Sequence, residues 1–228
     1  MSLLACALCA AVAAAGTVTV DPGHNGGNAA HPEAINRLVP AGGFRKACDT
    51  VGAQTSDGRL TEHAFTWDVA LRMRDRLTAA GFDVVFTRQD DVGVGPCVDV
   101  RGQLAGQVGA AAFVGIHGDG AGAGGRGFHV ITSSLDLAGP QAAADSTALA
   151  SAVRDAMTAV EPVSTYVGSN GLDARPDLAG LNLNDVPAVY VECGNMRNAA
   201  DAALMSSVEG RDAIATQLVA GVLAFLGR

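Results

Sequence analysis

The chain has 228 residues, 49% of them hydrophobic and 17% charged, with a formal net charge of −8. That length and apolar content suffice for a buried core and exclude a disordered chain, and the acidic balance excludes a protein that grips nucleic acid through a basic surface. Lys46 is the sole lysine among abundant alanine and glycine, a bias read here as composition rather than chemistry.

Residues 1–16, MSLLACALCAAVAAAG, are small, apolar and uncharged. They are too few to cross a bilayer, which takes about 20 residues. The run reads as the apolar core of an export signal ending in Ala13-Ala14-Ala15, without a basic start; a buried N-terminal helix is the alternative. Cys6 and Cys9 spell C-x-x-C, and Cys6 follows Leu-Leu-Ala as in a lipobox, but no strand precedes them, so both read as leader residues. The expected protein is exported (periplasmic, cell-wall associated or secreted), with residues 17–228 as a single catalytic domain.

The first strand is predicted at 17–20 (TVTV); it stops at Asp21-Pro22-Gly23 and is followed by His24. Residues 25–60, rich in Gly, Asn, Pro and Thr, lack any sustained period and predict a hairpin or ordered loop insertion, the sort of long loop that has a function or lies beside one. Cys48 and Cys97 both fall in Gly-rich, loop-like stretches and are expected to form a disulfide, which an exported protein can keep. Cys193 lies in an apolar run and reads as a buried thiol. Phe65, Val69, Met73 and Leu77 share one helical face, with Glu62 at the helix start. Further strands are predicted at 83–87, 111–116, 128–132 and 187–192. Helices are predicted over 141–161, from Leu149, Val153, Met157 and Val160, and at the C-terminus, from Ile214, Leu218, Val222 and Phe225. Continuous apolar strands alternating with helices predict an α/β fold, its mixed, mostly parallel central sheet flanked by helices on both faces.

Several of these strands end on a reactive side chain. The run at 17–20 leads to His24, AFVGI to His117 and PAVYV to Glu192. In open α/β sheets ligands bind at the carboxyl ends of the strands. Each residue has a bland alternative: a turn histidine, a hydrogen-bonded core histidine, a helix-start carboxylate for Glu62. Glu192 is hardest to dismiss, since a carboxylate at the end of a buried strand needs a metal, a partner or a water network to offset its desolvation. Two imidazoles and one carboxylate suit a single Zn²⁺ with a fourth position left for water, and a second carboxylate can take up the water proton. That set is sufficient for metal-assisted amide hydrolysis.

The ordered series VDPGHNGG, Glu62 with its helix running into LTAAGFDVVFTRQDD, Arg101 followed by FVGIHGDG, and PAVYVECGNMRN resembles the zinc-dependent N-acetylmuramoyl-L-alanine amidases (the Amidase_3 family), and within them the minimal, single-domain mycobacterial type. The resemblance runs from about residue 17 to the C-terminus. It implies a phosphorylase/hydrolase-like fold, with His24, Glu62 and His117 as ligands of one zinc ion and Glu192 as the catalytic glutamate. It also implies cleavage of the amide between N-acetylmuramic acid and L-alanine in peptidoglycan or muropeptide fragments. Arg175 falls where such enzymes have an arginine near the peptide; a surface salt bridge is the alternative. Gly118-Asp119 stands where many relatives have Ala-Asn, which places an extra carboxylate near the site. No segment resembles the helix that blocks the site in some regulated relatives, so an open groove is expected.

Asp21 is a candidate for orienting a ligating imidazole, or else a turn cap. The fingerprint Gly120-x-Gly122-x-x-Gly125 runs on into a strand rather than a helix, so no nucleotide cofactor is expected. His63 points about 100° round the helix from Glu62 and is not expected to share its ion; His31 and His129 read as spare histidines. The rival functions are a zinc peptidase acting on stem peptides and a non-catalytic peptidoglycan-binding module. A monomer without nucleic acid partners is expected.

Overall fold

The computed structural model describes residues 15–228; the expected leader, with Cys6 and Cys9, lies outside the described residues apart from its last two positions. A six-stranded sheet is built from β1 (Thr17–Pro22), β4 (Asp83–Phe86), β5 (Ala112–Asp119), β6 (His129–Ser133), β7 (Leu172–Arg175) and β8 (Ala188–Asn195) in the order β4-β1-β5-β8-β6-β7. All neighbours run parallel except β6 and β8, which pair antiparallel. Between β1 and β4 the chain makes a short helix α1 (Pro32–Ile35) and a separate antiparallel hairpin, β2 (Leu38–Pro40) with β3 (Arg45–Ala47), before helix α2 (Glu62–Ala79). The remaining helices are α3 (Val98–Gln107), α4 (Pro140–Met157), α5 (Ala179–Asn182), α6 (Ala199–Ser206) and α7 (Val208–Phe225).

Successive strand side chains point to opposite faces, and the two faces are covered unequally. Val18, Val20, Val114, Ile116, Val189 and Val191 face one way, against Phe65 and Leu77 of α2, Leu149 of α4 and Ile214 and Leu218 of α7. These three helices are 18 residues each and bury the larger core. At about 1.5–3 kcal/mol per fully buried aliphatic side chain, this layer is the main source of stability. The opposite face carries Phe113, Tyr190 and Ile131, covered only by the 10-residue α3 and the four-residue α5. Where that thin cover stops, the carboxyl ends of the mutually parallel β1, β5 and β8 lie open to a cavity.

The sequence did not show α3, β7 and α6 as elements. The 141–161 helix is also shorter than predicted: α4 stops at Met157, and Val160 packs from the following turn. The 25–60 stretch contains the expected hairpin, tied down by a Cys48–Cys97 disulfide that packs with Val39 and Val98. Cys193 is free and buried. Among the described residues no helix is long and apolar enough to cross a membrane.

Candidate active site

Four elements bring His24, Glu62, His117 and Glu192 to one cavity of about 350 Å³. His117 and Glu192 lie near the carboxyl ends of β5 and β8 on the thinly covered face, and the sheet register sets them directly opposite each other. His24 follows β1 with its backbone in the left-handed region (φ 61°). For a non-glycine residue that conformation costs about 1–3 kcal/mol, and it turns the imidazole from the strand toward its neighbours. The main chain cannot relax easily, because Arg101 donates to the His24 carbonyl at 2.9 Å and to the Pro22 carbonyl at 2.9 Å. Gly23 is required for packing: a Cβ there would lie 2.3 Å from the His117 ring.

Glu62, at the first turn of α2, is the centre of the cluster and only 4% exposed. Its Oε1 lies 3.1 Å from His24 Nε2 and 3.0 Å from His117 Nδ1, and accepts from the Gly118 N–H at 3.0 Å. Its Oε2 accepts from the Ala53 N–H at 2.6 Å. Burial works against the charge on both partners, but the His24 and His117 imidazoles hold the Glu62 carboxyl well below its ordinary range. Against the same burial, Glu62 and Asp49 raise His24 well above its own. Glu192 is different: burial first, then the Glu62 and Asp119 carboxylates, pushes its pKa well up, and its Oε2 has no hydrogen-bond partner.

The donor set fits a zinc ion. One ligand atom each from His24, Glu62 and His117 falls within 4.8 Å of the others, and ligands of one tetrahedral zinc sit about 3.3 Å apart given bonds of about 2.0–2.1 Å. His117 Nε2 is buried without a partner, so the protein alone does not satisfy the cluster. A divalent cation here would relieve the crowding of carboxylates around Glu192.

Other candidates fall elsewhere. Asp21, expected to orient an imidazole, touches none: it accepts from Thr87 Oγ1 and from Arg101 at 2.9 Å. The aspartate beside a candidate ligating imidazole is Asp49, whose Oδ1 lies 3.3 Å from His24 Nδ1 while its Oδ2 pairs with Arg101 at 3.3 Å. A buried guanidinium needs counter-charge, and Arg101 takes both aspartates for that purpose. Its sequence signal is its place in the ordered motif series, four residues after Cys97 and ahead of FVGIHGDG; Asp49 has none beyond following Cys48. Arg175 ends β7, lines the cavity and pairs with Asp177 at 2.8 Å. His63 binds Asp91 at 2.9 Å and is not part of the cluster, His31 is exposed, and His129 is buried in β6. The Gly120–Gly125 stretch leads into β6 with no helix between.

Residues 18–224 match the family model described as N-acetylmuramoyl-L-alanine amidase (Amidase_3). The chain is 46% identical over 211 residues to N-acetylmuramoyl-L-alanine amidase Rv3717 of Mycobacterium tuberculosis, spanning 92% of this chain and 86% of that protein. It is similar to the crystal structure of the amidase Ami1 from Mycobacterium smegmatis, with 46% identity, a TM-score of 0.89 and coverage of 94% of this chain and 98% of the other. The apo form of Ami1 from Mycobacterium abscessus has 43% identity and a TM-score of 0.88 over 93% of this chain and 99% of that one.

Proposed function

The chain belongs to the family of N-acetylmuramoyl-L-alanine amidases and is an amidase of peptidoglycan; from that premise we propose that it works with one zinc ion held by His24, Glu62 and His117, with Glu192 as the group that moves the proton. The observation that carries this reading is the register of β5 and β8, which sets Glu192 opposite His117 and leaves a carboxylate oxygen without a partner beside the cluster.

The bond cleaved joins the lactyl carboxyl of N-acetylmuramic acid to the amino group of L-alanine. Zinc supplies a Lewis acid that polarises the amide carbonyl and makes water acidic enough to react near neutral pH. Glu192 accepts a proton from the water as its oxygen joins the carbonyl carbon. It then passes that proton to the nitrogen as the C–N bond breaks, leaving a free lactyl carboxylate and a peptide with a new amino terminus. The Thr50 carbonyl, 3.1 Å from His24 Nδ1, and Asp49 Oδ1 at 3.3 Å together hold the ring, fixing which nitrogen faces the ion. Arg175 stands on the peptide side of the cavity.

Residues 17–228 form one catalytic domain in this reading, with 25–60 as an insertion over the site. A monomer suffices for this reading, since one chain provides every side chain named in it. It acts where its substrate is, outside the cytoplasmic membrane, on wall polymer or soluble muropeptides.

Digestion of a defined N-acetylmuramyl peptide, followed by mass spectrometry, tests the reading. Free muramic sugar and intact peptide are expected, abolished by chelation. Glu192→Gln should slow turnover about 10²–10⁴-fold, the usual contribution of a positioned acid–base group, while zinc content is unchanged. Cleavage between two amino acids would point to a peptidase instead.

A further inference from the structure

The cavity is charged unevenly along its length. Glu62, Asp119 and Glu192, from α2, β5 and β8, make one side acidic. Lys46 and Arg175 line the same cavity from the β2–β3 hairpin and from β7, the edge strand two places beyond β8. These two cations share Asp177: Arg175 Nε and Nη2 donate to its carboxylate at 2.9 and 2.8 Å, and Lys46 Nζ donates to its carbonyl at 2.8 Å. Asp177 thus serves two positive groups, Arg175 through its carboxylate and Lys46 through its main-chain carbonyl. Among the described residues, Arg175 Nη1 and the remaining Lys46 N–H donors have no acceptor.

Lys46 is half-buried, and it is the only lysine among 15 basic residues. Immobilising a lysine costs side-chain entropy, and a single carbonyl contact offsets little of it. Burial lowers its pKa, with Arg175 adding to the effect and Asp177 opposing it. A second anion placed between the two cations would relieve that strain.

We propose that Lys46 and Arg175 form a subsite for a free carboxylate on the peptide side of the scissile amide, one residue beyond the L-alanine. The proposal rests on the amidase reading, which sets the direction of the substrate. The amide nitrogen lies at Glu192 and leaves as a cationic amine next to Glu192 and Asp119, so the peptide extends from the acidic side of the cavity to the basic one. A cavity of about 350 Å³ falls at the small end of ligand pockets and suits a dipeptide-sized segment. Arg175 provides a planar donor at the fixed end of a strand, whereas Lys46 provides a point charge from the hairpin. Lys46 therefore sets selectivity for a carboxylate over a carboxamide at this position.

The test uses the metal-loaded protein and the product peptide L-alanyl-D-glutamic acid, compared with its diamide, by isothermal calorimetry. The acid should bind at least tenfold more tightly, with the preference shrinking as salt is raised. Lys46→Met should bring the two affinities together, and Lys46→Arg should retain the preference. Turnover of the corresponding N-acetylmuramyl peptides should show the same preference in KM rather than kcat. Absence of discrimination by the wild type, or discrimination that survives in Lys46→Met, overturns the subsite. Discrimination in binding without cleavage of either muramyl peptide would overturn the amidase reading and leave the subsite standing.

Discussion

Asp49 is where the hairpin segment reaches the candidate metal centre. It faces His24 on one side and Arg101 on the other, and these contacts keep it ionised despite burial. Asp49→Ala is expected to weaken zinc affinity about 10–100-fold, the usual cost of losing a carboxylate that orients a ligating imidazole; competition with a chromogenic chelator measures it. The principal site residues were legible because each interrupts an apolar pattern: His117 after AFVGI, Glu192 after PAVYV, Glu62 at a helix start. Asp49 and Lys46 interrupt nothing. Lys46 sits in the three-residue β3 and Asp49 in the loop after it, on a segment whose path depends on a disulfide and on Arg101, and no local pattern encodes that path. The sequence leaves Asp21 open between orienting an imidazole and capping a turn; in the structure it accepts from Thr87 and Arg101, because a strand residue's side chain follows the sheet's alternation rather than its sequence neighbours.

At the scale of elements, the Cys48–Cys97 bridge fastens β3 to the start of α3 across a sequence separation of 49. The chain-entropy relation puts the stabilisation from a loop of that size at about 4 kcal/mol. Cys48→Ser should lower the melting temperature and, because Lys46 lies two residues away, also reduce the preference for the acid peptide. A second element contact responds to pH. Glu161, in the turn after α4, is buried beside Asp201 of α6 and Arg126. Burial, then Asp201, raises its pKa to about 7, with Arg126 opposing. Unfolded glutamate titrates near 4.5, so between about 4.5 and about 7 the native state holds the extra proton. Stability should therefore fall as pH rises through that window and level off above it. Glu161→Gln should flatten that part of the curve in calorimetric melts at pH 5 and pH 8, and an unchanged slope would count against this assignment. The long strands and 18-residue helices were visible in the sequence, whereas α3 and β7 were not. VDVRGQLAGQ carries two glycines and no clean apolar stripe, and LDAR is too short for alternation to show.

At the scale of the whole molecule, the candidate ligands come from positions 24, 62 and 117, so a bound ion would tie together about the first half of the chain. Zinc at about 100 times its dissociation constant should add about 2.7 kcal/mol, which for a chain of this size is a rise in melting temperature of about 5–10 °C. Thermal melts before and after chelation check this; equal midpoints would contradict a zinc site in the native state. The sheet's strand order has a further consequence during synthesis. β8 is the last strand made, yet it lies in the middle, between β5 and β6. Until about residue 195 has left the ribosome, β5 and β6 have no shared neighbour and the sheet exists as two unjoined parts. Glu192 arrives on the strand that joins them. A chain that stops before Glu192 therefore lacks both a closed sheet and the proposed proton carrier, so the capacity to cut wall material arises only after β8 has been made.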